Sequence, residues 1–170
     1  MKKHLMFGAL MIAAVTAPHA AFADLSKRSQ NFVANAAVGN QFEISSSQLA
    51  LQDSQDPTIR QFAQQMIDDH KQIGDQMGAA LRAPDVGMMP PDNALDKKHQ
   101  HMLDVLAKKS GANFDKKYVS EQVDAHKEAV GLFKKYASRG DNDTLKGFAA
   151  QNLPMIQEHL AQIKQIRAGD

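Results

Sequence analysis

Helical periodicity is the feature of this chain that leaves it the fewest choices of fold. Four long stretches place apolar or small side chains every three to four residues, the spacing that gives an α-helix one hidden stripe. Phe32, Ala36, Ser47 and Ala50 mark the first stripe, and Ile59, Ala63, Met66, Ile73 and Met77 the second. Val119, Val123, Val130 and Phe133 mark the next, and Leu145, Ala149, Ile156 and Ile163 the last. No run of alternating β-branched residues bounded by turns reads as a strand. The fold class is therefore all-α.

Turn chemistry sets the boundaries. The first helix is expected over 26–55 and breaks at "SQDPT". There Asp56 is an N-cap and Pro57 takes the first helical position, where its missing N–H costs nothing. The second runs to residue 82 and stops at "APDVGMMPPDN", rich in proline and glycine. A shorter helix, 94–109, is stopped by Ser110-Gly111, and the next long one spans 112–138. "SRGDND" then turns the chain, with Gly140 just past the helix end and an Asn or Asp capping the final helix, 144–167. Pro154 falls inside that helix, removes a backbone bond and curves it, either aiming His159 inward or following the core.

Four long helices paired by two tight turns make a four-helix bundle. Residues 83–111 provide a short helix and enough chain to run back along the bundle, so the expected topology is ferritin-like, with one long crossover. A faint repeat supports two related hairpins: "PTIRQFAQQ" from Pro57 resembles "DTLKGFAAQ" from Asp143.

The amino terminus reads differently. Met1-Lys2-Lys3-His4 is basic, Leu5 to Ala17 is an apolar run, and Ala21-Phe22-Ala23 fits a small-x-small cleavage site. Residues 1–23 are expected to be a secretory signal peptide cut after Ala23, leaving 24–170 as one bundle domain, exported to the periplasm. The run is shorter than the roughly 20 residues a membrane span needs, and no second candidate follows. The chain has no cysteine, which rules out a disulfide framework and argues against a lipid anchor at the cleavage site. Two of the 20 basic residues fall in the leader, so the remainder is just short of the 19 acidic ones. That balance offers no footprint for nucleic acid. A protein partner is not specified by the sequence, and self-association stays open.

Each long stripe carries one ionisable residue: Glu43, His70, His126 and His159. In an antiparallel hairpin, residues equally far from the turn share a level. The midpoint of 43 and 70 falls on Asp56-Pro57, and that of 126 and 159 on Asn142-Asp143. At the helical rise the pairs lie about 20 Å and about 25 Å from their turns, near the middle of helices about 40 Å long. One carboxylate and three imidazoles in a dry core suit Zn, Fe, Mn or Cu. They equally suit a Glu–His hydrogen-bond network that fixes helix register. Asp69 and Glu158, each beside a histidine, fall about 100° around their helices, at the solvated boundary.

At these residues the chain resembles a bacterial family of exported proteins catalogued as domain of unknown function four-one-four-two. The stretches that carry the resemblance are "FVANAAVGNQFE", "QFAQQMIDDHKQ", "SGANFDKKYVSEQVDAHKEAV" and "FAAQNLPMIQEHL". The resemblance implies a ferritin-like bundle in the periplasm and no settled activity. Di-iron ferritin-like proteins use a Glu-x-x-His motif on two helices. Here Ile67, Val123 and Ile156 stand three residues before the histidines. The carboxylates that bridge two irons are missing, which leaves a mononuclear site.

Weaker signals lie in the crossover, where "MMPP" and "HQHM" place thioethers and imidazoles suited to copper. Nothing resembles a nucleophile elbow or a phosphate loop, so no catalytic residues are assigned and turnover is not indicated. The functional expectation is an accessory protein for metal handling or envelope stress. The alternatives are a non-catalytic interaction or structural protein and a mononuclear Fe or Mn redox enzyme.

Overall fold

The computed structural model describes residues 25–92 and 94–169, so the expected leader lies outside the described residues. Five helices follow one another: α1 (Lys27–Asp53), α2 (Pro57–Leu81), α3 (Lys97–Leu106), α4 (Gly111–Arg139) and α5 (Asp143–Gly169). The boundaries fall within a few residues of those expected from the sequence, and α5 continues through Pro154.

Their ends follow from named caps. Ser26 Oγ accepts from Ser29 N at the start of α1. Asp56 Oδ1 accepts from Thr58 N and Ile59 N, 2.7 and 3.1 Å away, with Pro57 opening α2. Asn142 Oδ1 accepts from Leu145 N at 2.9 Å and caps α5. Gly111 opens α4 at φ +52°, a left-handed conformation that favours glycine. Gly140 closes α4 in extended rather than left-handed backbone, φ −60° and ψ 153°. Glycine is needed there for room: a Cβ would lie 2.6 Å from the Tyr136 carbonyl oxygen.

α1 packs on α2 and α4, and α5 packs on α4 and α2. Near its start α1 meets the end of α4, where Ser29 Oγ bonds Tyr136 Oη at 2.6 Å. Near its end α1 meets the start of α4, where Ser47 Oγ bonds Tyr118 Oη at 2.9 Å. These two helices are therefore antiparallel, and the two hairpin turns lie at opposite ends of the bundle. The chain between α2 and α4 returns along the bundle, with α3 against α1 and α4. This is the ferritin-like four-helix bundle with one long crossover. Asp85 pins the start of that crossover to the far turn by accepting from Asn142 Nδ2 and from Thr144 Oγ1, each 2.9–3.1 Å away. Among the described residues, no helix is long and apolar enough to cross a membrane.

The core is divided. An upper apolar cluster joins Phe32, Ile73, Met77, Phe133, Leu145 and Phe148. A lower one joins Ala50, Ile59, Phe62, Met66, Tyr118, Val123 and Ile163. Between them lie the buried polar side chains Glu43, Ser46, Ser47, His70, Gln122, His126 and His159. The repeated segments occupy equivalent places, with Ile59, Phe62 and Ala63 matched by Leu145, Phe148 and Ala149, all buried.

Candidate metal centre

His70 comes from α2, His126 from α4 and His159 from α5, and all three are buried. Their ring centroids are 5.8 Å (70–126), 5.6 Å (70–159) and 5.5 Å (126–159) apart. Each offers one ring nitrogen within 4.8 Å of those offered by the other two. The level expected from the turn midpoints is the level observed.

Each ring is held by one nitrogen. His126 Nδ1 donates to the Gln122 carbonyl oxygen, 2.9 Å, one turn back along α4. His70 Nδ1 donates to Asn40 Oδ1 of α1 at 3.0 Å. His159 Nε2 donates to Asp69 Oδ2 of α2 at 2.9 Å. These acceptors fix the tautomers and leave a lone pair on His70 Nε2, His126 Nε2 and His159 Nδ1. All three nitrogens are buried with no hydrogen-bond partner among the described residues. Orphaned buried polar atoms are costly, and three at one place call for a common partner. Outer hydrogen bonds of this kind typically orient imidazoles that bind a metal through the other nitrogen.

Glu43 stands behind this group, not within it. Its Oε1 lies 3.3 Å from His126 Nδ1, the nitrogen already engaged with Gln122, and its Oε2 has no partner. Burial pushes the carboxyl up to about 8, opposed by a hydrogen bond from Gln122. Burial also holds the histidines neutral. It takes His126 down to about 4 and His70 well below its usual value, where the neighbouring imidazoles add to the effect. His159 is lowered for the same first reason, with Asp69 opposing. The Glu43–His126 contact therefore joins two neutral groups rather than an ion pair.

An ion held at about 2.1 Å by three imidazoles brings their nitrogens to about 3.4 Å from one another. Glu43, His126 and Gln122 continue into a buried polar track in which Gln122 Nε2 donates to Ser46 Oγ at 3.0 Å. A cavity of about 210 Å³ between α1 and α4 reaches His70 and Glu43 from the side of His99.

Two residues acquire roles that the sequence reading did not give them. Asp69, expected at the solvated boundary, is partly exposed and holds His159 from the neighbouring helix. Asn40 takes His70, whereas Glu43, its expected hairpin partner, meets His126 instead. Glu158 is exposed. The crossover methionines and histidines do not gather: Met88 packs on the upper cluster, Met89 is exposed, and His99 binds Asp96 and faces Phe42. One signal was available in the sequence: Gln122 precedes His126 by four residues and so shares its face.

A family model described as "Domain of unknown function (DUF4142)" matches residues 14–166. No curated protein matches the sequence. Two solved structures share the fold. A fragment of a DUF305 protein from Deinococcus radiodurans superposes with a TM-score of 0.70 at 15% identity, covering 84% of this chain and 96% of that one. A structure described as "CopM in the Cu(II)-bound form" superposes with a TM-score of 0.69 at 19% identity, covering 83% and 96%.

Proposed function

Because the chain belongs to the DUF4142 family, whose description names no activity, we propose its role from the site itself. It is an exported metal-handling protein in which His70, His126 and His159 hold one divalent ion, with Glu43 in reserve beside His126. The observation that supports this is the trio of buried imidazoles, each oriented through one nitrogen and left without a partner on the other. Neutral imidazoles in a dry core suit Cu, Zn and Fe, with Mn lower in affinity. Cu(II) leads, because it heads the affinity order for such ligands and a protein of the same fold is described in a Cu(II)-bound form. Holding such an ion between two apolar clusters keeps it from free solution, which is the protective role an envelope protein would serve.

The test is elemental analysis of protein purified untagged from the periplasm without chelator, beside a variant with His70, His126 and His159 all replaced. Near-stoichiometric metal in the first and none in the second is expected. No metal in either, and no uptake of added Cu, Zn, Fe or Mn, would overturn the reading.

A second reading, a reactive mononuclear Fe or Mn centre, is favoured by the cavity that reaches His70 and Glu43. It gives a small molecule a path to a fourth coordination position. Azide added to the metal-loaded protein should then shift its optical or paramagnetic spectrum, and an unchanged spectrum would rule this reading out.

A further inference from the structure

A group of cations lies outside the histidine site. Arg28 of α1 and Lys135 and Arg139 of α4 line a second cavity, of about 350 Å³, near the α4–α5 turn. Among the described residues, none of the three forms an ion pair with a carboxylate. Arg28 is steadied by donating to the Arg139 carbonyl oxygen at 2.9 Å. Asp141 feels the charge of Arg28, but its oxygens accept from the hydroxyls of Ser26 and Ser29. Lys135 and Arg139 are thus left with uncompensated charge at the rim of a concave surface.

This cavity and the one beside His70 share Asn35 and Leu132. They meet at these two side chains and so follow the seam of α1 and α4 as a trough. The span from Arg139 to Ala125 along α4 is about 21 Å at the helical rise. The inner reach exists because the seam is built of small residues, Ala36 and Gly39 on α1 and Ala125 and Ala129 on α4. A Cβ on Gly39 would meet nothing within 4 Å. Leu132, Phe133 and Ile156 complete walls that are mainly apolar. Concave apolar walls with a few placed polar groups are the usual form of a small-molecule site. The positive charge sits at one end only, and that asymmetry defines the ligand.

We propose that this trough binds an amphiphilic organic anion, its carboxylate or phosphate head between Arg28, Lys135 and Arg139 and its apolar chain along Ala36, Gly39 and Ala129. The head gains charge-assisted hydrogen bonds of the kind guanidinium groups give to both anions. The chain is removed from water, each buried methylene tightening binding by up to about fourfold. The head-group end lies apart from the histidines, but the inner reach is lined by His70 and Glu43, so binding is measured on protein stripped of metal with a chelator.

The probes are dodecanoate and dodecyl phosphate, with dodecanol and dodecyltrimethylammonium as controls, all below their micellar concentrations. Calorimetry gives the stoichiometry. Tyrosine fluorescence gives the location, because the chain has no tryptophan and two tyrosines, of which Tyr136 lines the outer reach. Saturable binding of one anion per chain is expected, stronger for dodecanoate than for decanoate or octanoate, and the tighter of the two head groups names the source. Lys135→Glu with Arg139→Glu should weaken the anions at least tenfold and leave the alcohol unchanged. Gly39→Leu, which fills open space, should abolish binding without lowering the unfolding temperature by more than a helix substitution would. Absence of saturable anion binding would overturn the proposal. So would equal affinity for the alcohol and the ammonium, or charge-reversal variants that bind as the parent does.

Discussion

Replacing His126 with Leu separates a metal site from a structural network, because the two assign opposite signs to the metal-free protein. In the parent, His126 Nδ1 donates one hydrogen bond, to the Gln122 carbonyl oxygen at 2.9 Å, and Nε2 is buried without a partner. Leucine removes that bond, a loss of about 1 kcal/mol. The Gln122 carbonyl lies inside α4 and keeps its helical partner. The substitution also removes an unsatisfied buried nitrogen, whose presence costs about 1–3 kcal/mol. The metal-free variant is therefore expected to match the parent or exceed it by up to about 2 kcal/mol. With an ion present at a hundred times its dissociation constant, the parent gains about 2.7 kcal/mol, which for a chain of this size is about 8 °C in melting temperature. The variant keeps two imidazoles and should show almost none of that rise. Thermal unfolding followed by circular dichroism, with chelator and then with Cu(II) or Zn(II), measures both terms. If the metal-free variant instead loses 1–3 kcal/mol and no ion raises the parent's melting temperature, the reasoning fails. The histidines would then be a hydrogen-bond network that holds the helices in register.

Further expectations follow from the same geometry. Below pH 6.5 the unfolded chain takes up protons that the three depressed histidines refuse, so metal-free stability should fall toward pH 4, with a limiting slope of about 1.4 kcal/mol per pH unit per group. Glu43 acts in the opposite sense: folded, it keeps its proton to about 8, whereas the unfolded carboxyl loses its own near 4.5, so its contribution falls between these two values and levels off above them. Chemical denaturation across this range should show a maximum near the ordinary histidine value, and Glu43→Gln should remove the decline from there to about 8 and steepen the acid limb; a flat profile would contradict the burial of these groups. Asp69→Asn takes the charge from the hydrogen bond that orients His159 and should weaken metal binding about 10- to 100-fold, measured by competition with a chelator, while the metal-free melting temperature changes little. Tyr118→Phe strands Ser47 Oγ in the core and should cost about 1–3 kcal/mol in denaturant unfolding with metal affinity unchanged.

The stripes of apolar residues made the bundle legible, since a helix buries one face whatever its neighbours are. Asp56-Pro57 was legible for the same reason: an N-cap and a first-position proline act locally. The common level of His70, His126 and His159 followed from two turns and a constant rise. Which side chain holds which ring did not follow, because periodicity gives the face of a residue and not its partner across a helix pair. Asp69 lies at the edge of its own stripe, and its value comes from α5 passing beside that edge. Ser46 and Gln122 were hidden for another reason. Such residues are mostly exposed, and only the track leading from Glu43 gives them buried partners. Gly140 was read as a helix terminator, and the structure supplies a different cause, the lack of room beside Tyr136.

The partition of the core has a consequence for how the chain divides. The sequence looks like two hairpins, and the repeat at Pro57 and Asp143 strengthens that impression. Yet the upper cluster draws on α1, α2, α4 and α5, and the lower cluster draws on the same four. Neither hairpin owns an interior. Cutting the molecule across its length would yield two complete but small cores, whereas cutting it at the crossover yields two amphipathic ribbons with bare faces. The two apolar clusters are thus stacked end to end rather than laid side by side. The histidines sit at the joint between them, where a bound ion would clamp α2 of one hairpin to α4 and α5 of the other.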